Sequence, residues 1–206
     1  MEVLDVLNDV LNVLSEAYRS KRRDVSISLL AKCLRATWFR LQSGQDIVTN
    51  AVMYGTERHH WMERHFPVEL EKYGFKCMRE VRVEHGGISG FVDMLCEKDG
   101  TRYVIEFKFT SAPFSWNPFI EWYRKQLKYY AAIADAVGVL ILMDFNLEQS
   151  YKEVIILGEQ EREQMLEELK KRYETVKSGV EPPPPEKGPW CKFCFFRSQC
   201  LNQKLI

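Results

Sequence analysis

Residues 88–110 read ISGFVDMLCEKDGTRYVIEFKFT, and this stretch decides the fold. Two apolar, β-branched runs, Ile88 to Glu97 and Arg102 to Thr110, flank Asp99-Gly100. Asp-Gly between two such runs is the strongest short-range hairpin signal, because both residues accept the left-handed backbone of a tight turn. Asp93 lies in the first run and Glu106 and Lys108 in the second. Side chains alternate along a strand, so Glu106 and Lys108 share a face and Phe107 takes the other. Folding the hairpin lets two carboxylates and one ammonium converge where a strand should be apolar. Charges there are costly unless paired or bound to a metal. The arrangement suits a divalent cation held by Asp93 and Glu106, with Lys108 beside the reacting group. The same alternation also fits an amphipathic edge strand with one solvated face, so the rest of the chain has to decide.

Working outward, Lys76 to His85 is a third strand-like run, joined through Gly86-Gly87, and the three form an antiparallel meander. After a loop from Ser111 to Asn117, Pro118 to Ala136 has helical periodicity through Trp122, Gln126, Tyr129, Tyr130 and Ile133. Gln126 and Tyr130 share a face at i, i+4. Gly138 to Met143 is wholly apolar, as a buried strand would be, and the helix before it makes a crossover unit. Tyr151 to Leu157 is a further strand, and Glu159 to Lys177 a charged helix. Upstream, Ala51 to Tyr73 is helical, with an interruption or bend expected at Pro67. It carries Gly55-Thr56-Glu57-Arg58-His59-His60-Trp61, and His59 shares a face with Glu63. Leu29 to Gln42 is expected as one helix ending at Ser43-Gly44, and Met1 to Arg19 as an amphipathic helix.

The chain has 206 residues, enough for one domain with a small appendage. Its 29 basic and 29 acidic residues cancel, so bulk charge does not point to nucleic acid. Such a partner would need a local patch, for example Arg19 to Arg23 or Lys170 to Arg172. The N-terminus has no signal-peptide pattern, and no apolar run nears the ~20 residues of a membrane span. A soluble, cytoplasmic protein with no membrane partner is the expectation. In that reducing setting the six cysteines are expected as metal ligands or buried thiols rather than disulfides.

Pro182 to Pro185 form a stiff linker into Trp190-Cys191-Lys192-Phe193-Cys194, then Cys200. Three cysteines in so short a terminal stretch, with no core of their own, read as metal ligands. No histidine is near, so the fourth ligand is Cys33, Cys77 or Cys96, and spacing does not choose among them. Nor does it separate zinc from iron–sulfur, since both accept four thiolates.

Taken in order, Cys33, Gly55-Thr56-x-x-His59, Gly90-x-x-Asp93, Glu106-x-Lys108, Gln126-x-x-x-Tyr130 and Cys191-x-x-Cys194-x5-Cys200 resemble a known family. It is the CRISPR-associated exonucleases of the RecB-like branch of the PD-(D/E)xK nucleases, and the resemblance spans Ser26 to Cys200. It implies an α/β nuclease core with a central mixed sheet flanked by helices. An N-terminal helical part (1–50) and a C-terminal segment (179–206) would clasp an iron–sulfur cluster against the core (51–178). His59, Asp93, Glu106 and the carbonyl of Phe107 would bind Mg²⁺ or Mn²⁺. Lys108 would orient and help deprotonate the attacking water, with Gln126 and Tyr130 positioning lysine, water or phosphate. Cys33, Cys191, Cys194 and Cys200 would hold a [4Fe–4S] or [2Fe–2S] cluster. Leu34 and Phe195 stand where the family often has proline, so cluster type stays open.

The implied activity is metal-dependent cutting of single-stranded DNA ends, with trimming of spacer precursors in CRISPR adaptation, an antiviral defence, beside integrase proteins. Phe114 and Trp116 are candidate base-stacking residues, and exposed aromatics with the charged 159–177 helix suit a homo-oligomer. The other readings are a RecB-like repair nuclease and a non-catalytic scaffold that binds DNA ends.

Overall fold

A computed structural model describes residues 25–44, 50–110, 117–145, 149–184 and 188–202. The expected helix at Met1 to Arg19, the basic run at Arg19 to Arg23, and Phe114 and Trp116 lie outside the described residues. The elements are α1 (Ile27–Leu30), α2 (Leu34–Ser43), α3 (Asn50–Glu71), β1 (Lys76–His85), β2 (Ile88–Lys98), β3 (Thr101–Thr110), α4 (Ile120–Ala134), β4 (Val137–Asp144), β5 (Ser150–Ile155), α5 (Glu159–Lys177), a short 3₁₀ helix (Pro189–Phe193) and α6 (Arg197–Asn202).

The five strands form one sheet in chain order. Every neighbouring pair is antiparallel except β3 with β4, which α4 connects in parallel. The β1–β2 and β2–β3 turns each have two left-handed central residues: Gly86 and Gly87 at φ +56° and +79°, Asp99 and Gly100 at +50° and +76°. This is the turn that Gly-Gly and Asp-Gly favour, because its twist matches that of the strands.

One face of the sheet, through Val92, Val104 and Leu140, packs against Ile27 and Leu30 of α1, Leu127 and Tyr130 of α4, and Leu169 and Val176 of α5. The other face, through Met94, Ile105, Phe107 and Ile141, packs against Met62, Phe66 and Leu70 of α3. At Gly90 the backbone and α4 approach closely. A Cβ there would stand 2.8 Å from the Tyr130 hydroxyl and 3.1 Å from Ile27 Cβ, which leaves no room for a larger residue.

Strand alternation breaks at one level of the sheet. Cys77 packs with the α3 cluster, yet Val81 and Val83 pack with the opposite one. Likewise Met94 and Cys96 go one way and Val92 the other. The β1–β2 pairing passes from Arg79↔Met94 to Val81↔Val92 and skips Glu80, which is left-handed at φ +47°. The β2–β3 pairing begins at Met94↔Ile105. Asp93 therefore sits at a crossover point, outside the regular ladder on both sides.

Three expectations are corrected. The helix expected over Leu29 to Gln42 is two helices, broken at Ala31 to Cys33. Arg172 of α5 explains the break: its Nε donates to the Leu30 carbonyl at 2.6 Å and its Nη2 to the Lys32 carbonyl, groups that a continuous helix would use internally. Of the interruption or bend expected at Pro67, the interruption is absent: helix α3 runs through it, and Pro67 is buried, with only the bond to the Glu63 carbonyl forgone. Cys77 and Cys96 are joined as a disulfide rather than being ligands or free thiols. They are direct register partners on β1 and β2 with Cα atoms 4.1 Å apart, so the sheet itself brings the two sulfurs together.

Candidate active site

Three elements deliver the charged residues that sequence reading placed together. Asp93 comes from β2, Glu106 and Lys108 from β3, and His59 from α3. Because the ladder opens at Asp93, side chains replace the missing backbone bonds. The Phe107 N–H donates to Asp93 Oδ2 at 2.7 Å, and the Asp93 N–H donates to Glu106 Oε1 at 3.3 Å. Each carboxylate is thus fixed by the other strand's backbone. The Lys108 ammonium donates to Glu106 Oε2 at 2.7 Å and lies 3.7 Å from Asp93 Oδ2. Gln126, on the inner face of α4, donates from Nε2 to Glu106 Oε2 at 2.9 Å. Glu106 is fully buried and Asp93 nearly so.

His59 closes the site from the helix side. Its Nε2 is 2.8 Å from Asp93 Oδ2 and its Nδ1 is 3.1 Å from Glu63 Oε1. His59, Glu63 and Asp93 can bring one ligand atom each to within 4.8 Å of one another. His60 turns elsewhere and groups with Glu63 and Glu80. His59, not His60, therefore accompanies Asp93. The Phe107 ring lies on the far face of β3, edge-on to Phe66 at 5.1 Å.

These charges shape one another. Burial opposes the charged form of His59, but bonds with Asp93 and Glu63 overcome it and raise the imidazole to about 10. Burial also opposes the Asp93 carboxylate, and Lys108 and His59 nonetheless hold it below its ordinary value. Glu106 goes the other way: burial and the Asp93 charge lift it to about 7. Lys108 is buried too, yet the two carboxylates raise it well above the usual lysine range. The two carboxylates are thus pushed apart, Asp93 toward the charged form and Glu106 toward the neutral one, a pattern that functional sites share with buried ion-pair networks. The donor set, mostly carboxylate oxygen with one imidazole, suits a hard divalent cation such as Mg²⁺ or Mn²⁺.

Tyr130, also on α4, is buried beside Gly90 and Ile27, three residues along β2 from Asp93. Glu63 is a buried carboxylate of the site whose only sequence signal was its i, i+4 spacing from His59. Glu80 carried no signal, because its position depends on the break in β1.

A second group forms at the ends of the described chain. Cys33 follows the break before α2, Cys191 lies in the 3₁₀ helix, Cys194 follows it, and Cys200 is in α6. All four are free thiols. Burial raises both Cys33 and Cys194, Cys200 and Cys191 raise Cys33 further, and Cys33, Cys191 and Cys200 raise Cys194 further. Backbone N–H groups of Arg35 and Ala36 point at the Cys33 sulfur and that of Phe196 at Cys194. Those donors favour the thiolate and act against the rise that burial causes. Aromatic contacts dock this segment on α4: Trp190 on Trp122 at 5.7 Å and Phe193 on Phe119 at 5.9 Å.

The family model of the PD-(D/E)XK nuclease superfamily matches residues 9–201. The chain belongs to the PD-(D/E)XK nuclease superfamily. Solved structures share the fold. The crystal structure of SSO0001 aligns over 98% of this chain and 97% of its own, with a TM-score of 0.63 and 17% identity. The alkaline exonuclease LHK-Exo from Laribacter hongkongensis aligns over 76% of this chain and 89% of its own, with a TM-score of 0.52 and 16% identity. LHK-Exo in complex with dAMP aligns over 77% and 90%, with a TM-score of 0.52 and 20% identity. No curated protein matches the chain. No helix among the described residues is long and apolar enough to cross a membrane.

Proposed function

We propose that this nuclease is a metal-dependent deoxyribonuclease that shortens single-stranded DNA ends and trims spacer precursors for CRISPR integrase proteins. The observation that carries the nuclease reading is the convergence of His59, Asp93, Glu106 and Lys108, with Gln126 behind them, at the one level where the sheet ladder opens. DNA as substrate is supported by superfamily membership and by the LHK-Exo complex with dAMP. The CRISPR role rests on the order of motifs, above all Cys33 with Cys191, Cys194 and Cys200.

His59, Asp93 and Glu106, with the Phe107 carbonyl and help from Glu63, are the residues to hold Mg²⁺ or Mn²⁺. When bound, such an ion lowers the pKa of water and offsets charge on the phosphate. The protein's own residues supply the rest. Asp93 and Glu106 hold Lys108 charged, so its ammonium serves to orient water and neutralise phosphate oxygen more readily than to remove a proton. Gln126 is a positioning residue: its amide fixes the Glu106 carboxylate. The thiols number four, as an iron–sulfur cluster needs, Cys33 and Cys194 have backbone N–H support, and a shared cluster would pin the C-terminal segment to the break before α2.

The test is a time course on end-labelled single-stranded DNA with anaerobically purified protein, in Mn²⁺, Mg²⁺ or EDTA, beside Glu106→Ala. Metal-dependent shortening from one end, absent in the variant, is the expected result. A folded wild type that cuts nothing would return the chain to an end-binding scaffold. Iron analysis and visible absorbance of the same preparation test the cluster.

A further inference from the structure

The active site has a neighbour that shares one of its side chains. On helix α3, His59 stands four residues before Glu63 and His60 three residues before it, so the two imidazoles lie on either side of one carboxylate. His59 Nδ1 is 3.1 Å from Glu63 Oε1, and its other nitrogen turns to Asp93. His60 takes the opposite side. There His60, Glu63 and Glu80 each bring one ligand atom to within 4.8 Å of the others. Glu80 reaches this place through the break in β1. The pairing passes from Arg79↔Met94 to Val81↔Val92, so Glu80 stands across from Asp93 with neither in the ladder. One irregularity in the sheet thus delivers two carboxylates to α3: Asp93 on the His59 side of Glu63, Glu80 on the His60 side.

The second group lacks what other carboxylates here possess. Glu106 has Lys108, Glu153 has Arg124 and Glu168 has Lys125. Glu63, only 5% exposed, shares its one partner, His59, with Asp93. Glu80 has no ion pair among the described residues. Nor, among those residues, does a hydrogen bond or ion pair join His60, Glu63 and Glu80 to one another, although their ligand atoms converge. Two carboxylates brought together without a lysine or arginine, one of them buried, are costly, and a divalent cation between them removes that cost. An imidazole with two carboxylates suits a first-row divalent ion better than Mg²⁺. His60 and Glu80 are exposed, so water can complete the coordination.

We propose that His60, Glu63 and Glu80 form a second divalent-cation site, on the far side of Glu63 from the active site, with Glu63 common to both. The site stands on its own three residues. The nuclease reading enters only through the ion expected beside Asp93.

The experiment counts Mn²⁺ bound to the full chain, purified without oxygen. Mn²⁺ prefers oxygen and imidazole to thiolate, which keeps the cysteines out of the count. Free Mn²⁺ is read from its EPR signal. Wild type is compared with Glu80→Gln, His60→Gln, Asp93→Asn, the double variant Asp93→Asn/Glu80→Gln and, as a control for exposed carboxylates, Glu69→Gln. Two ions are expected in wild type and Glu69→Gln, one in each of the other single variants, and none in the double variant. Thermal scans give a second readout: saturating Mn²⁺ should raise the Tm of Asp93→Asn and leave that of the double variant unchanged. His60 is exposed on a regular helix, so His60→Gln reports on the ion where Glu80→Gln disturbs the break in β1. An unchanged count in both Glu80→Gln and His60→Gln would overturn the proposal, as would a double variant that still binds an ion. A single wild-type ion lost only in the variants of Asp93 would overturn it too, and leave the nuclease reading intact. A single ion lost with Glu80→Gln and kept in Asp93→Asn would uphold this site and defeat the cation expected beside Asp93.

Discussion

The two clusters of chemistry in this molecule are built by opposite means. Asp93, Glu106 and Lys108 stand on adjacent strands, and their positions follow from one tight turn and one register. Cys33, Cys191, Cys194 and Cys200 come from short helices and turns near the two ends of the described chain, and meet only because α1, α4 and α5 are already in place. A site on strands is supported by the core whether or not it is occupied. A site made of terminal pieces has little but its own bonds to keep it together. The difference predicts that the first is separable from stability and the second is not.

The largest expected effect tests the first half. Glu106→Gln should slow cleavage about 10³-fold or more, equivalent to about 4 kcal/mol of barrier. Its fold should not suffer. Because burial and Asp93 lift Glu106 from 4.5 to about 7, the folded state binds this proton more tightly than the unfolded state does. The charged carboxylate therefore costs stability once the pH rises through 7, and none below about 4.5. At pH 8 in EDTA the Gln variant should melt no lower than wild type in a thermal scan. A clear fall in Tm there would break the contrast.

Cys191→Ser tests the other half. If the thiols share a metal cluster, losing the link from Cys33 to the C-terminal segment should cost on the order of 4–5 kcal/mol by loop closure. Calorimetry should then show Tm lower by about 10 °C or more. An unchanged Tm would mean that the four thiols carry nothing.

Gln126→Ala sharpens the comparison at the point where helix meets strand. Removing the amide that orients Glu106 should reduce activity about 10- to 100-fold, as loss of an outer-shell partner commonly does. Single-turnover rates in Mn²⁺ would show it, and a rate equal to wild type would deny Gln126 its positioning role.

The smallest effect on cleavage is expected at the end of the β1–β2 hairpin away from its turn. Replacing Cys77 and Cys96 together by Ser should lower stability by about 2–3 kcal/mol, given the short loop that they close. Cleavage at 25 °C should not change, because the break at Glu80 separates this regular half of the hairpin from Asp93. Loss of activity in this variant would show that the two halves move as one.

What sequence could reveal follows the same division. The Asp99-Gly100 hairpin and the shared face of Glu106 and Lys108 in an apolar strand were legible, because turn chemistry and alternation are local, whereas the approach of Gln126 came from the motif resemblance. The meeting of His59 with Asp93 came from the motif resemblance, since helix periodicity alone says nothing of which strand a helix crosses. The break before Cys33 was illegible because its cause, Arg172, lies far along the chain and acts through backbone carbonyls. The disulfide was missed because the cysteines were read by compartment rather than by register. Lys76 to His85 and Ile88 to Glu97 were both recognised as strands, and pairing them through Gly86-Gly87 already sets Cys77 opposite Cys96. Glu80 could not be anticipated, since a glutamate in a left-handed conformation inside a strand contradicts its ordinary preference.

Arg172 has one more consequence, for the history of the family. Most of the outer face of α5 is solvated charge, free to drift between relatives with little penalty. One arginine on that helix holds open the turn that carries Cys33. Descendants that kept the cysteines should therefore keep this arginine amid neighbours that have changed, and lineages that discarded the cysteines should have let it go.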